Sequence, residues 1–490
     1  MKKIVCLILS LIMLTAVLVG CKGNNEGAGT ESSSDTTVST GGDAGNNGGE
    51  GNGGEENRAE LVIENLGDAN GNPRDITMLV RNNRYHYLWQ DTEDSDRVKS
   101  ETFKRNADIE EKYNVNLLMA NPKNDAAADW STALTSSSGE YDIAVPDYWW
   151  LLERQGFFLT LNDRSEFDLS EDFWYQGYNE NVTINNRCYT VCGDASLEVL
   201  ENIEVIFFNK QMAANQKIDL YKLVDNGEWT IDKMLEMCKD TSANLDDGDT
   251  KNDVYGAIYD THSGGSQGFS AGLKLTQISP SNGSVEIIAE NSINSDIVDK
   301  VKSLIHSPYN KFSATLNRQN TEKVKLFSDE QAFMYATSLY TGKYIKDYVQ
   351  QGFYGVVVMP KYSTEGEYIS TIYGASAFAI PTSAKDPHAS ALIINALNYL
   401  SYDTTVRGFY EVVMKSQVAD VYDDARMMDL AKDSMYIDFA FINDSKTFSL
   451  WTGAFQKAML NKDTGLSSVL ASALQTSREG LTEILEFYSK

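Results

Sequence analysis

Cysteine, proline and histidine are scarce in this chain of 490 residues, which has 5 cysteines, 8 prolines and 4 histidines. Cys6 and Cys21 lie near the N-terminus, and the other three cysteines can form at most one disulfide among themselves. The chain is therefore not a disulfide-framed secreted domain. The apparent strand Cys188–Cys192 would separate its two thiols by about 13 Å, too far for a bridge. We expect buried thiols and no zinc site, because no His or Cys with ligand spacing accompanies them.

Positive charge is also under-represented, with 42 Lys and Arg against 70 Asp and Glu and a net charge of −28. The sequence has no Lys/Arg cluster of the kind that follows a phosphate backbone, so nucleic acid is not an expected partner. An acidic surface is also repelled by anionic lipid head groups. Beyond Val19 no apolar stretch is long enough to cross a membrane.

The one long apolar run, Ile4–Val19, follows Lys2 and Lys3 and leads into Gly20-Cys21. This pattern resembles a bacterial lipoprotein signal peptide with its lipobox. The resemblance implies that residues 1–20 are removed, that Cys21 carries a lipid, and that the protein is anchored outside the cytoplasm to the cell membrane. An uncleaved membrane helix is the alternative, but the run has about 16 residues and a span needs roughly 20.

The segment that follows, residues 21–59, consists almost entirely of Gly, Asn, Ser, Thr, Asp and Glu after its cysteine. It has no aromatic residue and cannot bury enough apolar surface to offset its ordering entropy. We predict a disordered linker whose ends lie roughly 30–36 Å apart.

Strand and helix patterns alternate after the linker. The predicted elements, in order, are strand Ile76–Val80, helix Val98–Tyr113, strand Asn116–Ala120, helix Ala126–Ser136 and strand Tyr141–Val145. This β-α-β-α-β order predicts an open α/β sheet, whose ligands bind beyond the carboxyl ends of the strands. Pro146-Asp147-Tyr148-Trp149-Trp150 follows the third strand directly, where a ligand is expected.

The second part of the chain begins with another buried strand pattern at Val205–Phe208. Thr230 is placed to cap a helix that follows Trp229. A further buried strand is predicted at Gly355–Pro360, and the chain is mostly helical from about residue 385.

Several of these segments, in this order and behind a lipobox, resemble the extracellular solute-binding proteins that serve ABC transporters of sugars and oligosaccharides. The segments that carry the resemblance are Arg105–Val115, Tyr141–Val145 with Trp149, Val205–Lys210, Trp229–Met237, Tyr354–Tyr362, Phe378–Pro381 and Ser449–Trp451. The resemblance implies an α/β, two-lobe periplasmic-binding-protein-like fold of type II, with hinge strands and a mostly helical C-terminal part. Lobe 1 would comprise residues 75–198 and 358–400, and lobe 2 residues 203–355 and 404–490.

The implied function is a monomeric, non-catalytic receptor that closes on a sugar or oligosaccharide, needs no cofactor, and delivers its ligand to a membrane permease. A sugar site combines flat aromatic side chains with a few fixed hydrogen-bonding groups. The candidate aromatic residues are Trp149, Trp150, Tyr340, Tyr373 and Trp451, and the candidate polar residues are Asp147, Asp194 and Glu198. We expect a groove flanked by Trp149 or Trp150 on one side and by Trp451 on the other.

The sequence is also compatible with other functions. A surface glycoside hydrolase or esterase is one alternative, and a ligand receptor for a membrane sensor kinase is another. The run Gly264–Gly268 matches G-x-S-x-G, but it follows polar residues and is predicted to be a flexible loop, so a nucleophile elbow is not expected. The acidic loop around Asp247 resembles calcium loops, although Lys251 interrupts its alternation of acids. The sequence does not settle calcium binding or the identity of the ligand.

Overall fold

The computed structural model describes residues 59–489, except for 83, 85–86, 125, 137, 151–155, 246–247, 315–320, 351, 411–421 and 445–447. The predicted signal peptide, the lipidated Cys21 and the linker as far as residue 58 lie outside the described residues. Asp247, the centre of the possible calcium loop, lies outside them too.

The first sheet is built from the N-terminal part of the chain and is wholly parallel, with strand order β2-β1-β3. Its elements are β1 (Arg74–Val80), α1 (Arg97–Tyr113), β2 (Val115–Ala120), α2 (Ala127–Ser136) and β3 (Ile143–Val145). The predicted β-α-β-α-β order is confirmed. Asp96 caps α1 by accepting a hydrogen bond from the backbone of Lys99, and Asn114 ends it in the left-handed conformation at φ 53°.

The second sheet is mixed and has the order β10-β4-β9-β5-β8, with antiparallel pairs at the β10 end and parallel pairs at the β8 end. Its strands are β4 (Glu204–Asn209), β5 (Tyr255–Asp260), β8 (Asn310–Ser313), β9 (Ala332–Ser338) and β10 (Tyr354–Val358), while β6 (Thr276–Ile278) and β7 (Val285–Ile287) form a separate hairpin. Every residue of β4, β9 and β10 is buried, which fits the apolar runs from which β4 and β10 were predicted.

Helices pack on both sheets and form most of the C-terminal part. Their bounds are α3 (Gln176–Val182), α4 (Leu197–Asn202), α5 (Lys210–Asn215), α6 (Leu220–Asp225), α7 (Ile231–Thr241), α8 (Thr261–Ser270), α9 (Ser292–Ile305), α10 (Thr321–Ser328), α11 (Gly342–Ile345), α12 (Pro387–Ser401), α13 (Arg407–Tyr410), α14 (Tyr422–Asp433), α15 (Phe439–Ile442), α16 (Gln456–Leu460) and α17 (Leu466–Tyr488). The predicted cap of α7 is confirmed, because the Thr230 hydroxyl accepts a hydrogen bond from the backbone of Lys233.

Two chain segments connect the regions of the two sheets. Val191 pairs with Phe378, and Ile203 pairs with Ile372, in single antiparallel bridges. The predicted strand at Cys188–Cys192 is therefore wrong, since Val191 alone pairs there. The prediction for the thiols is confirmed, because Cys188, Cys192 and Cys238 are free and buried.

The run Gly264–Gly268 is helical, which corrects the prediction of a flexible loop. It lies inside α8, and α8 begins directly after β5. Asp260 caps the helix by accepting hydrogen bonds from the backbone of His262 and Ser263, each at 3.0 Å. Burial of the helix overrides the low helix propensity of its glycines. Ser266 sits in the second turn, not at the strand-to-helix turn, so the run does not form a nucleophile elbow.

Candidate functional site

A small pocket opens where β1 and β3 end. Val80 and Val145, the last residues of these two strands, line it together with Arg84, Glu198 and Ser376. The carboxyl ends of parallel strands are the usual place for ligands in open α/β sheets. The residues predicted to form the site, just beyond the strand that ends at Val145, therefore lie next to a pocket that charged side chains line.

An ion-pair network surrounds this pocket. Arg81 Nη1 lies 3.0 Å from Asp147 Oδ2 and 3.4 Å from Glu198 Oε1, while Arg84 Nε donates to Glu198 Oε1 at 2.7 Å. The Ser376 hydroxyl also donates to Glu198, at 2.9 Å. Burial raises the pKa of Asp147 to about 6, against the opposing attraction of Arg81. Asp147 and Glu198, both predicted from the sequence, are thus held in one network by arginines that were not predicted.

A third carboxylate, Glu201, extends the network toward the second sheet. It accepts hydrogen bonds from the Tyr87 hydroxyl and from the Lys343 ammonium group. Lys343 Nζ lies 5.1 Å from the ring centre of Tyr340, and the Tyr344 hydroxyl donates to Tyr340 at 2.9 Å. The predicted Tyr340 is therefore joined to the charged network through a lysine of α11.

Aromatic side chains meet around Phe441, which the sequence analysis did not single out. The ring centre of Phe441 lies 4.7 Å from that of Trp149, 5.1 Å from that of Tyr373 and 5.8 Å from that of Trp451. Three of the predicted aromatic residues are thus brought together. In this structure Phe441 occupies the space between Trp149 and Trp451, where a groove was expected.

Tyr373 also carries polar contacts on its other sides. Its ring stacks on His262 with 4.1 Å between the ring centres and an interplanar angle of 4°. Its hydroxyl accepts a hydrogen bond from Gln456 Nε2 at 2.6 Å. A half-buried stacked pair that also carries hydrogen-bonding groups is the combination that a sugar ring needs.

Trp451 is enclosed in this structure, with 0% of its surface exposed. It packs against Phe269 with 4.5 Å between the ring centres. Its Nε1 and the Ser266 hydroxyl are buried without a hydrogen-bond partner in the part of the chain that the structure describes. A buried donor that lacks an acceptor costs about 1–3 kcal/mol, so an acceptor that reached this position would stabilise the fold.

Trp150 and Asp194 lie away from the Phe441 group. Trp150 packs on Trp130 with 5.5 Å between the ring centres, and the Arg81 guanidinium lies 5.5 Å from its ring centre. Asp194 is fully buried and lies 3.2 Å from Lys432 Nζ. The structure therefore brings Trp150 to the charged network but leaves Asp194 in a separate ion pair.

The buried Asp194 gives the folding stability a dependence on pH. Burial raises the pKa of Asp194 to about 6, and Lys432 opposes that rise. Because the folded state then binds a proton more readily than the unfolded chain does, this group destabilises the fold as the pH rises from about 4 to about 6. Urea unfolding of Asp194→Asn and the parent should show the parent losing up to about 1.4 kcal/mol per pH unit relative to the variant. A constant difference across this range would contradict the assignment.

Sequence reasoning missed Arg81, Arg84, His262, Lys343 and Gln456. Arg81 and Arg84 follow the end of β1 and could have been found by the rule that was applied to the end of β3. His262 was overlooked because α8 was predicted to be a loop. Lys343 and Gln456 carry no local signal, since their partners lie more than 80 residues away in sequence.

Within the described residues, no group of three or more His, Cys, Asp or Glu side chains is placed to hold a metal ion. The same part of the chain contains no helix with the length and apolar character required to span a membrane.

The two sheets, the segments that connect them and the flanking helices define the fold of ABC transporter solute-binding proteins, as the resemblance implied. No protein-family model and no curated protein sequence matches the chain. Solved structures match it over most of its length, at low sequence identity.

An extracellular solute-binding protein from Staphylococcus aureus in complex with maltose is 11% identical with a TM-score of 0.56, and the match covers 84% of this chain and 99% of that one. A solute-binding protein from Thermotoga lettingae bound with α-D-tagatose is 15% identical with a TM-score of 0.52, over 83% and 100% of the two chains. An ABC transporter associated binding protein from B. animalis subsp. lactis in complex with β-1,6-galactobiose is 16% identical with a TM-score of 0.51, over 84% of this chain and 98% of that one. At these identities the likeness concerns the fold.

Proposed function

We propose that this protein is a non-catalytic receptor for a sugar or oligosaccharide, anchored to the outer face of the cell membrane by a lipid on Cys21, which delivers its ligand to an ABC transporter permease. The observation that carries the proposal is that Trp149, whose backbone donates to Asp147 of the charged network, meets Tyr373 and its stacked partner His262 around Phe441. Aromatic faces suit the C–H faces of a sugar, and the neighbouring charged and amide groups suit its hydroxyls. The sugars named for the structural neighbours are of the same ligand class.

A thermal-shift screen of the purified protein against mono- and oligosaccharides tests the proposal. A ligand at 100 times its dissociation constant should add about 2.7 kcal/mol of stability and raise the melting temperature accordingly. Calorimetry then gives the affinity, which we expect near a micromolar, or about −8 kcal/mol. Absence of binding across the panel would overturn the proposal, as would release of shortened products, which would indicate a glycoside hydrolase.

Two further parts of the proposal have their own measurements. Cys21→Ser should move the protein from the membrane fraction to the soluble fraction of cells, because the lipid is lost. Growth on the ligand found in the screen should depend on both the receptor and a permease. If the permease is dispensable and a sensor kinase is not, the receptor serves signalling.

We also propose that residues 75–198 with 358–400 and residues 203–355 with 404–490 act as two lobes that close on the ligand. Direct contacts join these segments in the structure. Trp149 packs on Phe441, and the Asn185 amide donates to the Gly283 carbonyl at 2.9 Å. Small-angle scattering should show a smaller radius of gyration when the tightest ligand of the screen is bound. An unchanged radius with a tight ligand would contradict closure.

Gly265 provides a specific test of the aromatic part of the site. A Cβ atom at this position would lie 3.1 Å from Trp451 Cζ2 and 3.1 Å from the Tyr373 hydroxyl, so Gly265→Ala displaces both rings. We expect about a tenfold loss of affinity with a small change in stability, since alanine also favours the helix by about 1 kcal/mol. Gly264→Ala is the matched control, because its Cβ would contact the flexible end of Leu460. Equal affinities for the two variants would exclude this role of the rings.

A further inference from the structure

Two ion pairs of the charged network, Arg84–Glu198 in the pocket wall and Lys343–Glu201 next to Tyr87 of that wall, each join an exposed cation to a covered carboxylate. The Arg84 side chain is 30% exposed, whereas its partner Glu198 is 5% exposed. The Lys343 side chain is 35% exposed, whereas its partner Glu201 is 3% exposed. In both pairs the carboxylate is covered and the cation reaches the surface. The part of each pair that a ligand can touch is therefore positive.

Both carboxylates belong to the short helix α4, and this places the two cations near each other. Glu198 and Glu201 are three residues apart and share one side of the helix. Arg84 comes from the segment that follows β1, while Lys343 comes from α11, which follows β9 of the other sheet. The electrostatic influence of Arg84 also reaches Tyr87 and Glu201, the two neighbours of Lys343 in the hydrogen-bond network. Arg84 and Lys343 thus pair with carboxylates one turn apart on the same short helix, and they come from the regions of different sheets.

Two cations of this region, Lys343 and Arg81, also have an aromatic neighbour that is itself partly exposed. The Tyr340 ring lies beneath Lys343, and the Trp150 ring lies beneath Arg81. Trp149, which adjoins Trp150 in sequence, and Tyr373 are also half-buried. A ligand bound here meets flat apolar faces and two positive groups together, which suits a sugar ring that carries an acidic substituent.

We propose that the ligand is an acidic saccharide, an oligosaccharide containing a uronic acid, whose carboxylate is bound between Arg84 and Lys343. This inference rests on the proposed sugar-binding function and specifies its ligand class. A guanidinium group matches a carboxylate through two parallel hydrogen bonds, and an ammonium group adds a compact second charge. The net charge of −28 does not prevent such binding, because at about 0.15 M salt charges more than roughly 8 Å away are largely screened.

Isothermal calorimetry on the full-length protein with matched ligand pairs tests the inference. Oligomers of galacturonate and of glucuronate are compared with the same oligomers after reduction of their carboxyl groups to alcohols. We expect at least one acidic oligomer to bind tenfold or more tightly than its reduced form. The advantage should shrink between 50 and 500 mM salt, because it is electrostatic.

Variants assign the effect to the two cations. Arg84→Gln and Lys343→Met should each lower the ratio of acid to reduced-form affinity at least tenfold, and Lys462→Met, on an exposed residue far along the chain, should leave the ratio unchanged. The double variant Lys343→Met with Glu201→Gln removes the pair without leaving a buried carboxylate uncompensated, and it should lose the preference as well. Thermal unfolding of each variant confirms that it is folded.

The outcomes separate this inference from the proposed function. Tighter binding of the reduced or neutral oligomers would overturn the acidic-ligand inference and leave the sugar receptor intact. An acid preference that survives in both single variants would overturn the assignment to Arg84 and Lys343. Failure of every saccharide, acidic or neutral, to bind would overturn both proposals.

Discussion

Trp149→Ala is expected to lower the affinity for the saccharide about 100-fold, equivalent to about 2.8 kcal/mol. Trp149 is half-buried, stacks on Tyr148 with 5.4 Å between the ring centres, and lies edge-on to Phe441 at 4.7 Å. These contacts fix the ring, so a ligand that stacks on it does not have to order it. Loss of the ring removes both the stacking area and this preorganisation.

Calorimetry with the best ligand of the saccharide screen measures the effect of Trp149→Ala. Trp149→Phe keeps an aromatic face and should lose at most tenfold. Tyr362→Ala serves as a control, because Tyr362 is a half-buried aromatic residue whose ring faces Lys300, at 4.2 Å, away from the Phe441 group. Unchanged affinity in a folded Trp149→Ala protein would mean that this ring is not part of the ligand site.

Lys323→Met is expected to destabilise the fold by about 3–5 kcal/mol. Lys323 Nζ lies 2.9 Å from Asp260 Oδ2, and the two side chains are 3% and 2% exposed. The lysine neutralises a buried carboxylate that also caps α8 through the backbone of His262 and Ser263. Without the lysine, the charge of Asp260 stays buried without compensation at the start of the helix that carries His262.

Urea unfolding at neutral pH compares Lys323→Met with the parent. The double variant Lys323→Met with Asp260→Asn should recover part of the loss, because the uncompensated charge is removed. Lys233→Met, which breaks the exposed pair with Glu236, should change stability by less than about 0.5 kcal/mol. An equal loss of folding stability in Lys323→Met and Lys233→Met would contradict the role given to Lys323.

The fold was predictable where apolar periodicity is strong and local. The strand expected at Ile76–Val80 is observed at Arg74–Val80, and the helix expected at Val98–Tyr113 is observed at Arg97–Tyr113. Helix α8 was missed because glycine and serine disfavour an isolated helix, whereas packing between β5 and the C-terminal helices supplies the missing stability. Burial by residues that are distant in sequence cannot be recognised from a short stretch of sequence.

The site was predictable in part. The rule on strand ends located Asp147 and the two tryptophans, and the resemblance supplied Tyr373 and Trp451. Phe441, around which Trp149, Tyr373 and Trp451 meet, has no distinguishing local pattern. Arg84 and Lys343 could not be found from composition. They stand out only because their carboxylate partners are buried, and because the fold brings together segments that lie more than 250 residues apart in sequence. The ligand roles of all these residues stay predictions.

The antiparallel bridge between Ala144 and Ala379 means that the first sheet cannot be completed early in synthesis of the chain. The edge of the first sheet, begun by residues near the N-terminus, obtains its last partner only after more than three-quarters of the polypeptide has been synthesised. Until then β3 exposes an unpaired edge, which is a site for wrong pairing with other chains. An emerging chain therefore benefits from being kept unfolded, for example by a chaperone, until the segment around Ala379 has emerged.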